Sequence, residues 1–308
     1  VLGVTTGLVD QVLPFSVGGG AVRGRLVRLG PALDAILDQQ HGYPASVGAL
    51  LAETVTLAVA LAAQLKFDGI FTLQAQGAGP VSLLVADITS TGQIRAHARY
   101  AEDKLAGIEM GRRASVPHML GGGYLAFTVD QGPDTERYQG IVELIGNTLE
   151  DCARIYFKQS EQLDTEVEVA VRPPQDGQGW SAAAILIQRM PASSGNAPIL
   201  MAEDADEGWR RAGILLGSVK DSEMLDSALS PQQLLYRLYH AEQLVVFEPK
   251  LLEAKCRCSR ERVKTTLTSM PRADLDELAD EHGHIVVTCE FCCTDHTIGL
   301  EELKPPQA

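Results

Sequence analysis

Two short cysteine pairs near the C-terminal end constrain this chain more than any other feature. Cys256-Arg257-Cys258 is followed by thirty residues, 259 to 288, and then by Cys289-Glu290-Phe291-Cys292. A CxC and a CxxC across such a gap supply four thiolates from two tight turns. That is a sufficient set for one closed tetrahedral zinc site. The segment carrying them, roughly fifty residues long, buries too little apolar surface to fold alone. Structural zinc contributes on the order of 10–16 kcal/mol in comparable small sites, so metal binding and folding are coupled. Cys256, Cys258, Cys289 and Cys292 are therefore expected to hold one Zn2+, with Zn–S distances of about 2.3 Å. Four protein ligands leave no position for an activated water, which makes the metal structural. The same thiols form two vicinal dithiols, so oxidation can dismantle the site.

The neighbouring residues sharpen this reading. Lys255, Arg257 and Arg260 flank the first pair and should favour thiolate over thiol. Cys293 directly follows Cys292 and is read as a spectator, although it can compete for metal or capture a disulfide partner. His282, His284 and His296 are alternative ligands by proximity, but surface or supporting roles suit them better. Cys152 falls on an apolar helix face and is expected in the core.

No catalytic constellation accompanies the cysteines. The chain has no GxSxG, no HExxH and no evident acid pair, and its Gly18-Gly19-Gly20 and Gly121-Gly122-Gly123 runs lack the context of a phosphate loop. No catalytic residue and no enzyme activity are expected. The formal net charge of −14 argues against a nucleic-acid partner held by phosphate neutralisation. The cysteine-rich tail is no basic exception, with ten acidic against seven basic residues from Ala254 to Lys304. The alternative of a zinc-ribbon nucleic-acid-binding regulator is thereby disfavoured. A thiol-disulfide oxidoreductase using Cys289 and Cys292 lacks the expected CxxC at a helix start in a βαβ unit.

Residues 47–65 form the longest apolar segment, interrupted by Glu53, Thr54, Thr56 and Gln64. It is read as a buried helix and not a membrane span. The first twenty residues show no basic and apolar leader pattern. Clustered thiols without an export signal point to a reducing, cytoplasmic setting with no membrane partner.

Element signals indicate an α+β fold. Val22–Leu29 reads as a strand, and Pro31 starts a helix running to about Gln40. A long helix covers 45–65. Strands follow at Ile70–Gln76, Val81–Asp87 and Gln93–Tyr100, separated by glycine-rich turns in the manner of an antiparallel meander. Tyr124–Asp130 and Tyr138–Leu144 flank the Gly132-Pro133 turn. Asn147 is the expected cap of the helix carrying Cys152. Thr165–Val171 and Trp180–Gln188 form a last strand pair. Composition changes near Pro191, where residues 193–198 read as a loop and domain edge. Helical patterns at Glu203–Leu216 and Pro231–Tyr239 then suggest an amphipathic connector. Ser259 caps a helix through Leu267, Pro271 starts another ending near Gly283, and His284–Thr288 is a strand leading into the CxxC turn. The organisation is an antiparallel-sheet core with helices over 1–192, a helical linker over 193–253 and a small four-cysteine zinc domain over 254–308.

These residues, in this order, resemble the bacterial heat shock protein 33 family of redox-regulated holdase chaperones. The CRC and CEFC spacing is its specific signature. Upstream text matches too: Arg23-Gly24-Arg25-Leu26-Val27-Arg28, Leu83-Leu84-Val85-Ala86-Asp87 with Gly92-Gln93-Ile94-Arg95-Ala96, and Tyr156-Phe157-Lys158-Gln159-Ser160-Glu161-Gln162. The resemblance covers nearly the whole chain. It implies a client-binding core, a metastable linker and a redox-sensing zinc domain. The reduced, zinc-bound monomer is then inactive. Oxidation forms Cys256–Cys258 and Cys289–Cys292 disulfides, releases zinc, unfolds linker and zinc domain, and yields an ATP-independent holdase, often a homodimer, that binds unfolded client proteins. Cys293 beside the CxxC departs from the family pattern and puts a clean two-disulfide outcome in question.

Two further expectations follow. The Cα atoms of a CxC stand about 6.6–7 Å apart when extended, near the upper limit for a disulfide. The Cys256–Cys258 bond should thus be strained, and Cys289–Cys292 should form first. The linker, residues 199–247, carries Trp209, Ile214, Leu215, Leu216, Leu234, Leu235, Tyr236, Leu238 and Val245 at helical spacing. These apolar faces need a partner, and the core sheet is the most available one.

Overall fold

The computed structural model describes residues 8–37, 42–105, 115–132, 135–190 and 202–303. Strands β1 (Gln11–Val17) and β2 (Val22–Leu29) form a hairpin that leads into helices α1 (Pro31–Leu37) and α2 (Ala45–Ala62). Gly18, Gly19 and Gly20 all take positive φ and turn β1 back onto β2, which is the work of that triple glycine. Strands β3 (Ile70–Gly77), β4 (Val81–Thr89) and β5 (Gln93–Tyr100) follow as a meander. Next come α3 (Val116–Met119), β6 (Gly123–Asp130), β7 (Tyr138–Glu143), α4 (Leu149–Tyr156), β8 (Thr165–Arg172) and β9 (Ser181–Arg189). The linker region holds α5 (Ala202–Leu216), α6 (Asp221–Met224), α7 (Pro231–Tyr239) and three two-residue strands, β10 (Val245–Val246), β11 (Lys250–Leu251) and β12 (Glu253–Ala254). The cysteine-rich segment comprises α8 (Arg260–Thr268), α9 (Arg272–Leu278) and the hairpin β13 (His284–Thr288) and β14 (Asp295–Gly299).

The core has two sheets. The first runs β10-β1-β2-β9-β8, with β11 also on β1; the second runs β12-β5-β4-β3-β6-β7. Every pair in them is antiparallel except β12 with β5. Helix α2 is buried among the inner faces of both sheets, with 15 of its 18 residues buried. Its Thr54 and Thr56 hydroxyls donate to the Leu50 and Ala52 carbonyls at 2.8 and 2.7 Å, so these polar groups cost little inside. It is the one helix among the described residues long and apolar enough to cross a membrane, and the core consumes it.

Strand β9 is buried on both faces, which accounts for the unbroken apolar run Ala182–Ile187. Ala182, Ala184 and Leu186 face α2, while Ala183, Ile185 and Ile187 face outward. That outer face is covered by the linker. Ala212 and Leu216 of α5, Met224 and Leu225, and Leu234, Leu235 and Tyr239 of α7 pack on it. Phe15 stacks on Tyr239 with ring centroids 5.6 Å apart. Gly24 makes room for this ring, because a Cβ there would lie 2.1 Å from Phe15 Cζ. The core sheet is thus the linker's partner, as its apolar faces require. Ile214, Tyr236 and Val245 nevertheless remain exposed.

Several local readings change. Thr148 and not Asn147 caps α4: its side chain accepts from the Asp151 N–H, and Asp151 reaches back in a capping box. Helix α2 stops at Ala62 and α9 at Leu278, short of Leu65 and Gly283. The residues after α4 form a π-helical turn, Phe157–Glu161. The expected helix end at Gln40, the loop at 193–198 and the 192/193 boundary lie outside the described residues.

Candidate metal centre

The first cysteine pair is delivered by the edge of the second sheet. Glu253 and Ala254 pair with Gln93 and Ile94, and the Lys255 N–H donates to the Ile94 carbonyl at 2.8 Å. The second pair lies in the turn between β13 and β14. There the Cys293 N–H donates to the Cys289 carbonyl at 2.8 Å, and the Cys289 N–H to the Thr294 carbonyl at 3.0 Å. Cys293 closes the turn in the left-handed region, at φ 52°.

This brings together all four expected ligands. The Sγ atoms of Cys256, Cys258, Cys289 and Cys292 lie within 4.8 Å of one another. Cys256 and Cys289 are 3.7 Å apart, and Cys258 and Cys292 are 3.4 Å apart. A tetrahedron with arms of about 2.3 Å has edges of about 3.8 Å, so the four sulfurs have the spacing of one soft metal's shell. A disulfide needs about 2.05 Å, and these two close contacts run across the two motifs and not within them. The arrangement therefore fits a thiolate-bound ion such as zinc and selects no disulfide pairing. It is the only such cluster among the described residues, and Cys293 and the three nearby histidines are not part of it. Cys152 is buried in the core as expected, and burial pushes its thiol up to about 11.

The electrostatics differ from expectation. Arg257 pairs with Asp87 at 2.6 Å, Arg260 with Glu302 at 2.5 Å and Lys255 with Glu253 at 3.7 Å. Each cation that should favour thiolate thus also faces a carboxylate. Burial, and then hydrogen bonding with Cys292, pushes the Cys258 thiol up; burial also raises Cys289. Burial works against ionisation of Cys292 as well, but hydrogen bonding with Thr294 and with the other thiols brings it down to about 7.

The spacer residues of both motifs dock the module on the outer face of the second sheet. Asp87, Thr72 and Arg95 are cross-strand neighbours there. Asp87 accepts from Thr72 Oγ1 at 2.6 Å, from Arg95 Nε at 2.8 Å and from Arg257 Nη2 at 2.6 Å. Arg95 lies over the Phe291 ring at 3.9 Å, and Arg99 pairs with Glu290 at 2.9 Å. Sequence reasoning did not single out these core residues as functional. The available signal was the alternation Arg95-His97-Arg99 along one strand of an acidic protein.

A second contact joins core and linker. Arg28, 2% exposed, donates to the carbonyls of Glu223, Asp226 and Leu229 at 3.2, 3.1 and 2.5 Å. Burial pushes its guanidinium down to about 10. A buried cation held by linker carbonyls, with the Asp226 charge nearby, loses these partners if the linker leaves, and regains water in exchange.

Comparison with known proteins agrees with this architecture. The family model described as "Hsp33 protein" matches residues 10–298. A "33 kDa chaperonin" of Caulobacter vibrioides is 36% identical over 307 residues, covering 98% of both chains. One from Proteus mirabilis is 36% identical over 295 residues, covering 96% of this chain and 95% of the relative. The crystal structure of the 33 kDa chaperonin (heat shock protein 33 homolog) from Thermotoga maritima superposes with a TM-score of 0.81. It covers 96% of this chain and 97% of that one, at 21% identity, a likeness of fold.

Proposed function

The chain belongs to the Hsp33 protein family, and on that footing we propose that it is a cytoplasmic, ATP-independent holdase chaperone switched on by oxidation. The observation that carries this reading is the placement of four convergent thiols between residues that dock on the core. Arg257 sits within one cysteine pair, and Glu290 and Phe291 sit within the other.

Residues 1–192 act as the client-binding core, 193–253 as the releasable linker and 254–308 as the redox-sensing domain. Bound zinc would draw the four thiolates together and stabilise a module whose own buried core, among the described residues, is Leu267, Leu275, Ile285, Ile298 and Leu303. Oxidation pairs Cys256 with Cys258 and Cys289 with Cys292. Each pair of thiolates gives up two electrons, and one peroxide per pair takes them up with two protons from solvent and is reduced to two waters. Closing each disulfide to about 2.05 Å cannot preserve the four-sulfur arrangement, so metal binding is lost. The two turns that aim Arg257 and Phe291 at the sheet then lose their shape. The linker's short strands β12, β11 and β10, two residues each on β5 and β1, are then free to leave their partners, and release of the linker uncovers the outer face of the first sheet and its own apolar faces. Contiguous apolar surface of this kind binds unfolded chains and supports homodimerisation of the oxidised form. No step makes or breaks a bond in the client, so the role is not enzymatic.

The test is aggregation of a denatured client, followed by light scattering with reduced and peroxide-treated protein, with zinc release measured in parallel. Suppression should appear only after treatment and track zinc release. Treated, zinc-free, disulfide-bonded protein that leaves aggregation unchanged would refute the reading.

A further inference from the structure

Between the first and second sheets, beyond the end of α2, lie two adjoining cavities of 380 and 690 Å³. Both fall within the range of roughly 300–1,000 Å³ typical of small-molecule sites. Arg23, Arg25, Gln64 and Leu65 line both, so the two share a wall.

Their chemistry is unusual for a chain of net charge −14. Four cations, Arg23, Arg25, Lys66 and Lys250, line the larger cavity, and no carboxylate does so among the described residues. Among the described residues, Arg23, Lys66 and Lys250 make no ion pair. Burial, and then the neighbouring Arg23, hold the Arg25 guanidinium below its ordinary value, as expected where negative charge is lacking. The Gln64 side-chain amide nitrogen is buried with no acceptor among the described residues. The smaller cavity has much apolar lining, including Leu61, Phe71, Phe127, Phe157, Leu163 and Met190. Its one carboxylate among the described residues, Glu161, is already engaged by the Tyr138 and Tyr156 hydroxyls. The π-helical turn that carries Phe157 and Glu161 places both at this cavity, and such turns are frequent at functional sites.

We propose that this cleft is a binding site for a small amphipathic anion, an acyl chain with a carboxylate head. The chain would enter the aromatic-lined cavity, and the head would lie between Arg23, Arg25 and Gln64. Lys250, Leu251 and Leu252 form part of the larger cavity's wall, so the site is complete only while the linker's last strands stay docked. A bound anion therefore favours the docked arrangement.

Calorimetric titration of the reduced, full-length chain with dodecanoate, below its micelle-forming concentration, tests this. Dodecyltrimethylammonium and inorganic phosphate serve as the chain-only and charge-only comparators. One saturable site per chain is expected, weaker by about tenfold or more in Arg23→Glu, as befits loss of a charge-assisted contact, and retained in Arg23→Lys. Hydrogen exchange should slow at the 250–252 amides when dodecanoate saturates. Lys66→Glu, at another cation lining the larger cavity, gives a second charge-reversal readout should Arg23→Glu perturb folding. Absence of saturable binding, equal binding of the cationic amphiphile or of phosphate, wild-type affinity in both folded charge-reversal variants, or protection elsewhere but not at 250–252 would each overturn the proposal. Binding is read on the reduced protein, independently of chaperone activity, so its failure is distinguishable from failure of the redox switch.

Discussion

Arg257, the residue between the two thiols of the CxC pair, donates to the Asp87 carboxylate at 2.6 Å, on the outer face of the second core sheet. Asp87 is only 5% exposed and also accepts from Arg95 and Thr72. When Arg257 withdraws, those two partners remain. A buried carboxylate stripped of every partner would cost several kcal/mol, and the second arginine prevents that. Undocking is thereby kept less costly, as the proposed switch requires.

Replacing Asp87 with asparagine should loosen the module. Arg257 and Arg95 would then face each other without a neutralising charge, weakening docking by about 2–4 kcal/mol. Zinc release from reduced Asp87→Asn protein under limiting peroxide should be several-fold faster than from wild type. An unchanged rate would mean that docking does not protect the thiols.

Arg28 should resist linker release from the other side. Arg28→Met removes three hydrogen bonds to linker carbonyls but also removes a buried charge, for a net weakening of about 1–3 kcal/mol. Hydrogen exchange in segments 221–239 should accelerate in the reduced variant while β3 and β4 keep their protection. Unchanged exchange over 221–239 would show that Arg28 contributes nothing net to docking.

The two dithiols should not react together. The extended reach of a CxC strains a Cys256–Cys258 bond, and Cys289 and Cys292 are joined by a turn. Peptide mapping during gradual peroxide treatment should detect Cys289–Cys292 before Cys256–Cys258. Cys293→Ser should leave that order intact. The reverse order, or a predominant Cys293 disulfide, would contradict the expectation.

Much of this design is legible in the sequence where local chemistry decides the outcome. Pro231–Tyr239 and His284–Thr288 form as read, and Ser259 caps α8 by accepting from the Arg262 N–H. The four-thiol cluster follows from spacing alone. The matching upstream motifs acquire physical roles only in three dimensions. Gly24 seats Phe15, Arg28 holds the linker, Asp87 and Arg95 receive the cysteine module, and Tyr156 and Glu161 meet at the π turn. Strand β1 escaped notice because Pro14 weakens its pattern. Pro14 is tolerated because it falls between the positions paired with β10 and β11, where its carbonyl accepts from the Phe247 N–H at 2.9 Å. The docking face of β4 and β5 alternates like a solvent-facing surface, so only the covering domain distinguishes it. Strands β10 to β12 are two residues each, too short to carry a period.

The central claim is that activity follows release of the linker and not oxidation as such. Leu216 is 1% exposed against the first sheet, whereas its neighbour Leu215 is only partly buried, so Leu216→Glu is the sharper disruption. Burying its carboxylate there would cost several kcal/mol, more than a marginal linker can offset. The decisive measurement is client aggregation by light scattering with reduced, zinc-loaded Leu216→Glu protein, alongside hydrogen exchange over 206–239. The account predicts rapid exchange in the linker and suppressed aggregation without any oxidant. A linker shown by exchange to be open in a variant that nonetheless fails to suppress aggregation would contradict it.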